Sequence, residues 1–329
     1  MTTEMLYLHV GTPKTGTSSL QVDLYDERAF YARHGVSLLK SFLRGYEHYF
    51  LADELWRGKM AEVRAELAEG LAASSTPTAM ITSEMLYYND MLDKLLECLS
   101  EEFRSKAHVI MYVRRQDLYL ESLAKQHKKD GTLKGSMHDY MQSKKAQGNY
   151  ASFLERAMAV SPQTRVTCRL FDKSRMTGGD IISDFRDLIG LPLPEQLQRE
   201  DHWARNPSPC RELAEASGTH DFPDMQTRVD ILGRVVAKEP SLVMTRDILS
   251  ARERRDLMEG YREENRRLSE FCGEDLDAVF FRDVDFEAES RAAKSPEESA
   301  RLRDFAHACL QREYEAYLAE QAAATMPAG

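Results

Sequence analysis

Residues Gly11 to Gln21 read GTPKTGTSSLQ and stand directly after the apolar run Met5 to Val10, MLYLHV. The run has the length of a buried strand. Gly11, Pro13 and Gly16 mark a tight turn, and Thr17, Ser18 and Ser19 offer N-cap hydroxyls to the helical pattern that follows. Strand, glycine turn and helix start together form a phosphate cradle. The first-turn N–H groups of a helix lack intrahelical partners and the helix dipole adds partial positive charge there, so an anion is favoured.

Gly11 and Gly16 followed by Thr17 share the outline of the nucleotide-binding pattern GxxxxGK[ST], but no lysine follows the second glycine. The stretch has one lysine, Lys14, and it sits inside the turn. The segment PKTGTSSL resembles the 5′-phosphosulfate loop of the sulfotransferases that use 3′-phosphoadenosine 5′-phosphosulfate (PAPS). That resemblance implies that Thr12, Pro13, Lys14, Thr15, Gly16, Thr17 and Ser18 bind the donor.

A second segment points the same way. The apolar strand pattern Ala107 to Val113 runs into Arg114-Arg115-Gln116-Asp117 and a helix carrying Ser122, eight residues after Arg114. Guanidinium forks at the end of a strand suit phosphate oxygens. The run YVRRQDLYLESL is similar to the 3′-phosphate-binding segment of the same family, which implies that Arg114 and Ser122 hold that phosphate.

A further strand pattern, Thr78 to Thr82, ends in Ser83-Glu84, and a carboxylate at a strand's C-terminal end lies where open α/β sheets bind ligands. Glu84 is therefore a candidate base, with helix capping or pairing to a cation as its structural alternative. The stretch is similar to the glutamate-bearing segment of heparan-type sulfotransferases, although Met85 stands where they carry lysine. Gly45, Tyr46, His48 and Tyr49 cluster in a loop or lid near a site, and His48 and His127 are the secondary candidates for acceptor contact. The cations of Lys125 to Lys129 are explained by a helix C-terminus, as is the glycine stop at Gly131.

Composition limits the partners. A chain of 329 residues with 42% hydrophobic and 30% charged residues can bury a large core, and its net charge of −10 argues against a general nucleic-acid or anionic-membrane binder. Cys98, Cys168, Cys210, Cys272 and Cys309 have no CxxC spacing and are expected to be reduced core thiols, with no metal site. No apolar run approaches the roughly 20 residues of a transmembrane helix and no leader pattern opens the chain, so a cytoplasmic protein is expected, like the bacterial members of the family.

Strand and helix patterns alternate through residue 190, which predicts an α/β fold: a three-layer sandwich with a mostly parallel central sheet, as in the P-loop-like sulfotransferase fold. Residues 1–200 are expected to form the PAPS-binding core, and 201–329 a charged helical part packed on the same domain. Within that part, the run Arg252-Glu253-Arg254-Arg255 reads as a solvated helix face. Asn206-Pro207-Ser208 and Asn265-Arg266-Arg267-Leu268 resemble elements of bacterial family members. The C-terminal Arg-Lys-Gly loop of the cytosolic small-molecule enzymes has no counterpart, which leaves Arg205 and Arg211 as candidates for closing the nucleotide site.

Together these segments imply in-line transfer of a sulfuryl group from PAPS to an acceptor hydroxyl, of a glycan or small metabolite. Lys14 would meet the charge on the departing phosphate and Glu84 would take the acceptor proton, without a metal. Two other readings stand beside this one: a P-loop kinase or other phosphotransferase, and a non-catalytic binding protein on the same scaffold. Neither the acceptor's identity nor the oligomeric state follows from the sequence.

Overall fold

The computed structural model describes residues 3–194, 208–291 and 294–325. In chain order the elements are β1 (Met5–His9), α1 (Thr17–Asp26), α2 (Arg28–Arg33), β2 (Val36–Leu38), α3 (Tyr49–Trp56), α4 (Met60–Ala72), β3 (Thr78–Thr82), α5 (Met91–Cys98), α6 (Glu101–Lys106) and β4 (Ala107–Val113). There follow α7 (Gln116–Lys129), α8 (Met137–Ser143), α9 (Tyr150–Val160), β5 (Arg165–Leu170), α10 (Ile181–Leu188), α11 (Arg211–Thr219), α12 (Met225–Lys238), α13 (Ala251–Glu259), α14 (Arg262–Cys272), α15 (Phe286–Glu289) and α16 (Pro296–Thr325). The chain divides into two compact units, each built from separate stretches.

The first unit, residues 1–115, 149–195 and 261–282, is an α/β unit around one sheet. All five strands run parallel in the order β2-β3-β1-β4-β5. Register and alternation separate two faces: His9 aligns with Thr82 and Ile110, while Leu8 aligns with Ile81 and Val109. Leu6, Leu8, Ala79, Ile81, Val109 and Met111 are fully buried on the second face, the run of apolar side chains that a sheet covered on both sides requires. The first face is more polar. Tyr112 there donates to Asp184 of α10 at 2.8 Å, and the His9 ring lies 6.1 Å from that of Phe185.

Strands β1, β3 and β4 stand where the apolar runs place them, and caps and glycines break the helical stretches between and after the strands. The stretch Thr17 to Arg33 divides at Glu27, and Asp90 to Phe103 divides where the Ser100 hydroxyl accepts the N–H of Phe103 and starts α6. Tyr140 to Ala159 divides around Gly148, and Thr245 to Phe271 starts later, at the capping box of Ser250 and Glu253, then divides at Gly260. The cysteine expectation needs a correction as well. Cys168 on β5 and Cys272 at the end of α14 form a disulfide with Cα atoms 4.7 Å apart, and Cys98, Cys210 and Cys309 are buried thiols. A separation of 104 residues in sequence hid the pair, which forms because α14 packs on β5.

The second unit, residues 116–148, 196–260 and 283–329, is helical among its described residues. Leu213, Ile231, Val235, Leu242, Ala306 and Leu310 form its apolar core. Beside that core runs a buried ionic network. Arg254 donates to Asp117 at 2.6 Å and to Glu121 at 2.7 Å, and Lys125 pairs with Asp247. Arg254 has 0% exposure and turns inward, whereas Arg252, Glu253 and Arg255 of the same run are exposed, as a solvated face requires. A charge run reports composition and not which side chain turns inward.

Candidate functional site

The glycine turn is tied to the sheet on one side. Val10 N–H donates to Ile110 O at 3.1 Å, Thr12 N–H to Tyr112 O at 2.8 Å, and Tyr112 N–H to Gly11 O at 2.6 Å. Gly11 has φ +98°, and a Cβ placed there would lie 3.1 Å from the Pro13 nitrogen and 3.4 Å from Glu84 Cβ. The position thus needs glycine for both its conformation and its close approach. Lys14 (φ 67°) and Gly16 (φ 76°) are also left-handed. A lysine in that region carries strain on the order of 1–3 kcal/mol, of the kind concentrated at ligand clamps.

The cap of α1 differs from the expectation. Gly16 is the N-cap and provides no side-chain hydrogen bond, and Thr17, Ser18 and Ser19 are the first helical residues. Their N–H groups have no intrahelical acceptor and no capping side chain. Thr12 Oγ1, fully buried in the same turn, has no hydrogen-bond partner among the described residues. Thr15 Oγ1 donates to Thr12 O at 2.5 Å and braces the turn internally.

The Thr17 hydroxyl, released from capping, donates to Glu84 Oε2 at 2.5 Å. Glu84 opens a short 3-10 turn, Glu84–Tyr87, whose cap is Ser83: its hydroxyl accepts the Met85 N–H at 3.3 Å. The capping alternative for Glu84 is therefore taken by its neighbour, and no cation pairs with Glu84 among the described residues.

His48 is fully buried. Its Nε2 lies 2.8 Å from Leu39 O and its Nδ1 accepts the Thr82 N–H at 3.1 Å, which fixes the neutral Nε2–H tautomer. Burial pushes its pKa down to about 4, against the two backbone hydrogen bonds. With both nitrogens engaged, His48 braces the end of β3, an arrangement that leaves no ring edge for an acceptor. Its backbone N–H also donates to Thr82 O, at 2.9 Å.

That brace brings in residues absent from the sequence reading. Gln21 of α1 donates to Thr82 Oγ1 at 3.4 Å and hydrogen-bonds the carboxylate of Glu47, the residue before His48. Burial holds the Glu47 carboxyl above its ordinary range, the charge of Glu84 adds to the rise, and the Gln21 bond offsets part of it. The cluster Gly45 to Tyr49 was the available signal. Within it the histidine drew attention, because a lone glutamate in a loop has no distinguishing pattern.

Gly11, Pro13, Thr17, Glu47 and Glu84 thus meet at the C-terminal ends of β1 and β3. Arg114 ends β4 in the same unit, where the Tyr150 hydroxyl donates to its carbonyl at 2.9 Å. Ser122 and His127 stand on α7 of the second unit; His127 Nδ1 lies 3.0 Å from Thr132 Oγ1. Lys125 and Lys129, on the same helix, are buried. Arg205, Asn206 and Pro207 lie outside the described residues, and Arg211 bonds Glu212 and Ser299. Among the described residues no group of three or more histidine, cysteine or acidic side chains is arranged to hold a metal, and no helix is long and apolar enough to cross a membrane. Compared with models of known families and with curated proteins, the chain matches none.

Proposed function

We propose that this chain is a sulfotransferase that moves a sulfuryl group from PAPS to an acceptor hydroxyl. The observation that carries the reading is the uncapped start of α1 behind a turn with Lys14 and Gly16 in left-handed conformation. Such a turn offers backbone N–H groups and one cation to a phosphate-sized anion. The buried Thr12 hydroxyl, without a partner among the described residues, and the close approach at Gly11 fit the same group.

PAPS supplies an activated sulfuryl group whose bond to the 5′-phosphate breaks as the acceptor oxygen bonds to sulfur. The N–H groups of Thr17, Ser18 and Ser19 hold the anionic oxygens in place. Lys14 meets the negative charge that builds on the departing phosphate, an interaction stronger in the transition state than in the ground state. Glu84 takes the acceptor proton. The Thr17 hydroxyl donates to Oε2 and so fixes the carboxylate, leaving Oε1 to accept. Arg114 keeps the assignment to the 3′-phosphate that its motif gives it.

The test is donor turnover. Incubation of the full chain with PAPS and a mixture of hydroxyl acceptors should release 3′-phosphoadenosine 5′-phosphate (PAP) together with a sulfate ester detectable by mass. Consumption of ATP with phosphate transfer to the same mixture, and none of PAPS, would replace this reading with the kinase one.

A further inference from the structure

We propose that the Cys168–Cys272 disulfide is a redox switch of the candidate site: formed, it straps α14 to β5 and holds the site's supports in place, and reduced, it lets them loosen. The inference does not depend on which group the site transfers.

Both cysteines stand on elements of the first unit that lead to the site. Cys168 lies on β5, and Phe171, the residue after that strand, donates its N–H to Val113 O at 2.8 Å. The Phe171 ring lies against the turn, since a Cβ placed on Gly16 would be 3.0 Å from its Cε2. From Cys272 the path runs through α14 to α9. Asn149, the N-cap of α9, makes no side-chain capping bond. Glu264 of α14 supplies the cap instead, accepting the Ser152 N–H at 2.7 Å and the Ser152 hydroxyl at 3.0 Å. Arg267, one turn on, pairs with Glu155 and donates to the Ser152 oxygen at 3.0 Å.

The first turn of α9, capped in this way, supports the site from two sides. The Tyr150 hydroxyl donates to the Arg114 carbonyl at 2.9 Å, and the Tyr150 and Phe153 rings lie 6.2 and 4.8 Å from that of Tyr87. Tyr87 closes the short turn that Glu84 opens. The disulfide pins the far end of the helix that caps α9. Glu274, two residues beyond it, pairs with Arg175 at the surface, where ion pairs add little.

The bond is open to exchange from one side. Cys168 is 3% exposed, whereas Cys272 is partly exposed and is followed by the exposed Gly273. A dithiol reductant supplies the two electrons. Its thiolate attacks the Cys272 sulfur, the S–S bond breaks, and Cys168 departs as a thiolate that takes up a proton. The second thiol of the reductant then displaces Cys272, which is protonated in turn, and the reductant is left as its own disulfide.

Hydrogen exchange read by mass spectrometry tests this on the full chain, in its oxidised form and after dithiothreitol. Alkylation in denaturant should count three free cysteines before reduction and five after. Reduction is expected to speed exchange about 5-fold or more in residues 149–155 and about 3-fold or more in 11–21 and in 84–88, with β1 and β3 unchanged. Oxidised glutathione should reverse the change, and Cys272→Ser should match the reduced chain and ignore dithiothreitol. Unchanged exchange in either 11–21 or 84–88 on reduction overturns the inference. So does loss of protection throughout the sheet, a change that oxidised glutathione leaves in place, or a count of free cysteines that is the same before and after dithiothreitol. The comparison of the two wild-type states decides the matter even where the variant fails to fold.

Discussion

The Thr17 hydroxyl donates to Glu84 Oε2 at 2.5 Å, so the first residue of α1 also holds the carboxylate proposed as base. Two residues 67 positions apart in sequence are thereby set in register. In the proposed transfer, the donor side and the acceptor side are linked through this one hydrogen bond, and either can be perturbed alone.

For the acceptor side, Glu84→Gln keeps the size of the side chain and can still accept from Thr17, but it cannot take a proton. Turnover should fall about 10²–10⁴-fold, the usual contribution of a general base, while PAP binding changes little. Steady-state kinetics beside a PAP titration separate the two. Full turnover in this variant would place the base elsewhere.

For the donor side, Lys14 combines a charge with a strained backbone, and two substitutions separate them. Lys14→Ala removes the charge and keeps a Cβ in the left-handed region, whereas Lys14→Gly removes both the charge and the penalty. Both should lose about 10²–10³-fold in turnover, and Lys14→Gly should be more stable than Lys14→Ala by roughly 1 kcal/mol in urea unfolding. Turnover within a few-fold of wild type in either variant would remove Lys14 from the mechanism.

Stability should fall in mild acid, and two buried histidines set the window. Burial lowers the pKa of His9 and of His48 to about 4 from the ordinary value of 6.5. Both rings stay neutral in the folded chain while the unfolded chain takes up protons below about 6.5, so stability present above that pH is lost as pH falls toward about 4. His48→Gln should flatten this slope in urea midpoints measured across the window. An unchanged slope in His48→Gln would show that the ring is protonated in the fold.

Much of the sheet was legible in the sequence because a strand buried on both faces leaves a compact apolar run, and MLYLHV, TAMIT and AHVIMYV are such runs. The left-handed turn was legible from Gly11 and Gly16. What could not be read depends on which side chain turns inward. Arg254 and Lys125 look like solvent-facing cations in sequence and are buried partners of acidic residues. His48 looks like a loop histidine, yet it is walled in by the Leu39 carbonyl and the Thr82 amide. Glu47 carries no sequence signal because its neighbours, Gln21 and Glu84, reach it only after β3 lies beside β1.

The most direct test of the central claim is nucleotide choice by calorimetry on the full chain. PAP should bind at micromolar dissociation constant or tighter, with ADP and ATP at least about 10-fold weaker. Tight ATP or ADP binding with weak PAP would contradict the account and make the turn of Gly11 to Ser19 the cradle of a phosphotransferase.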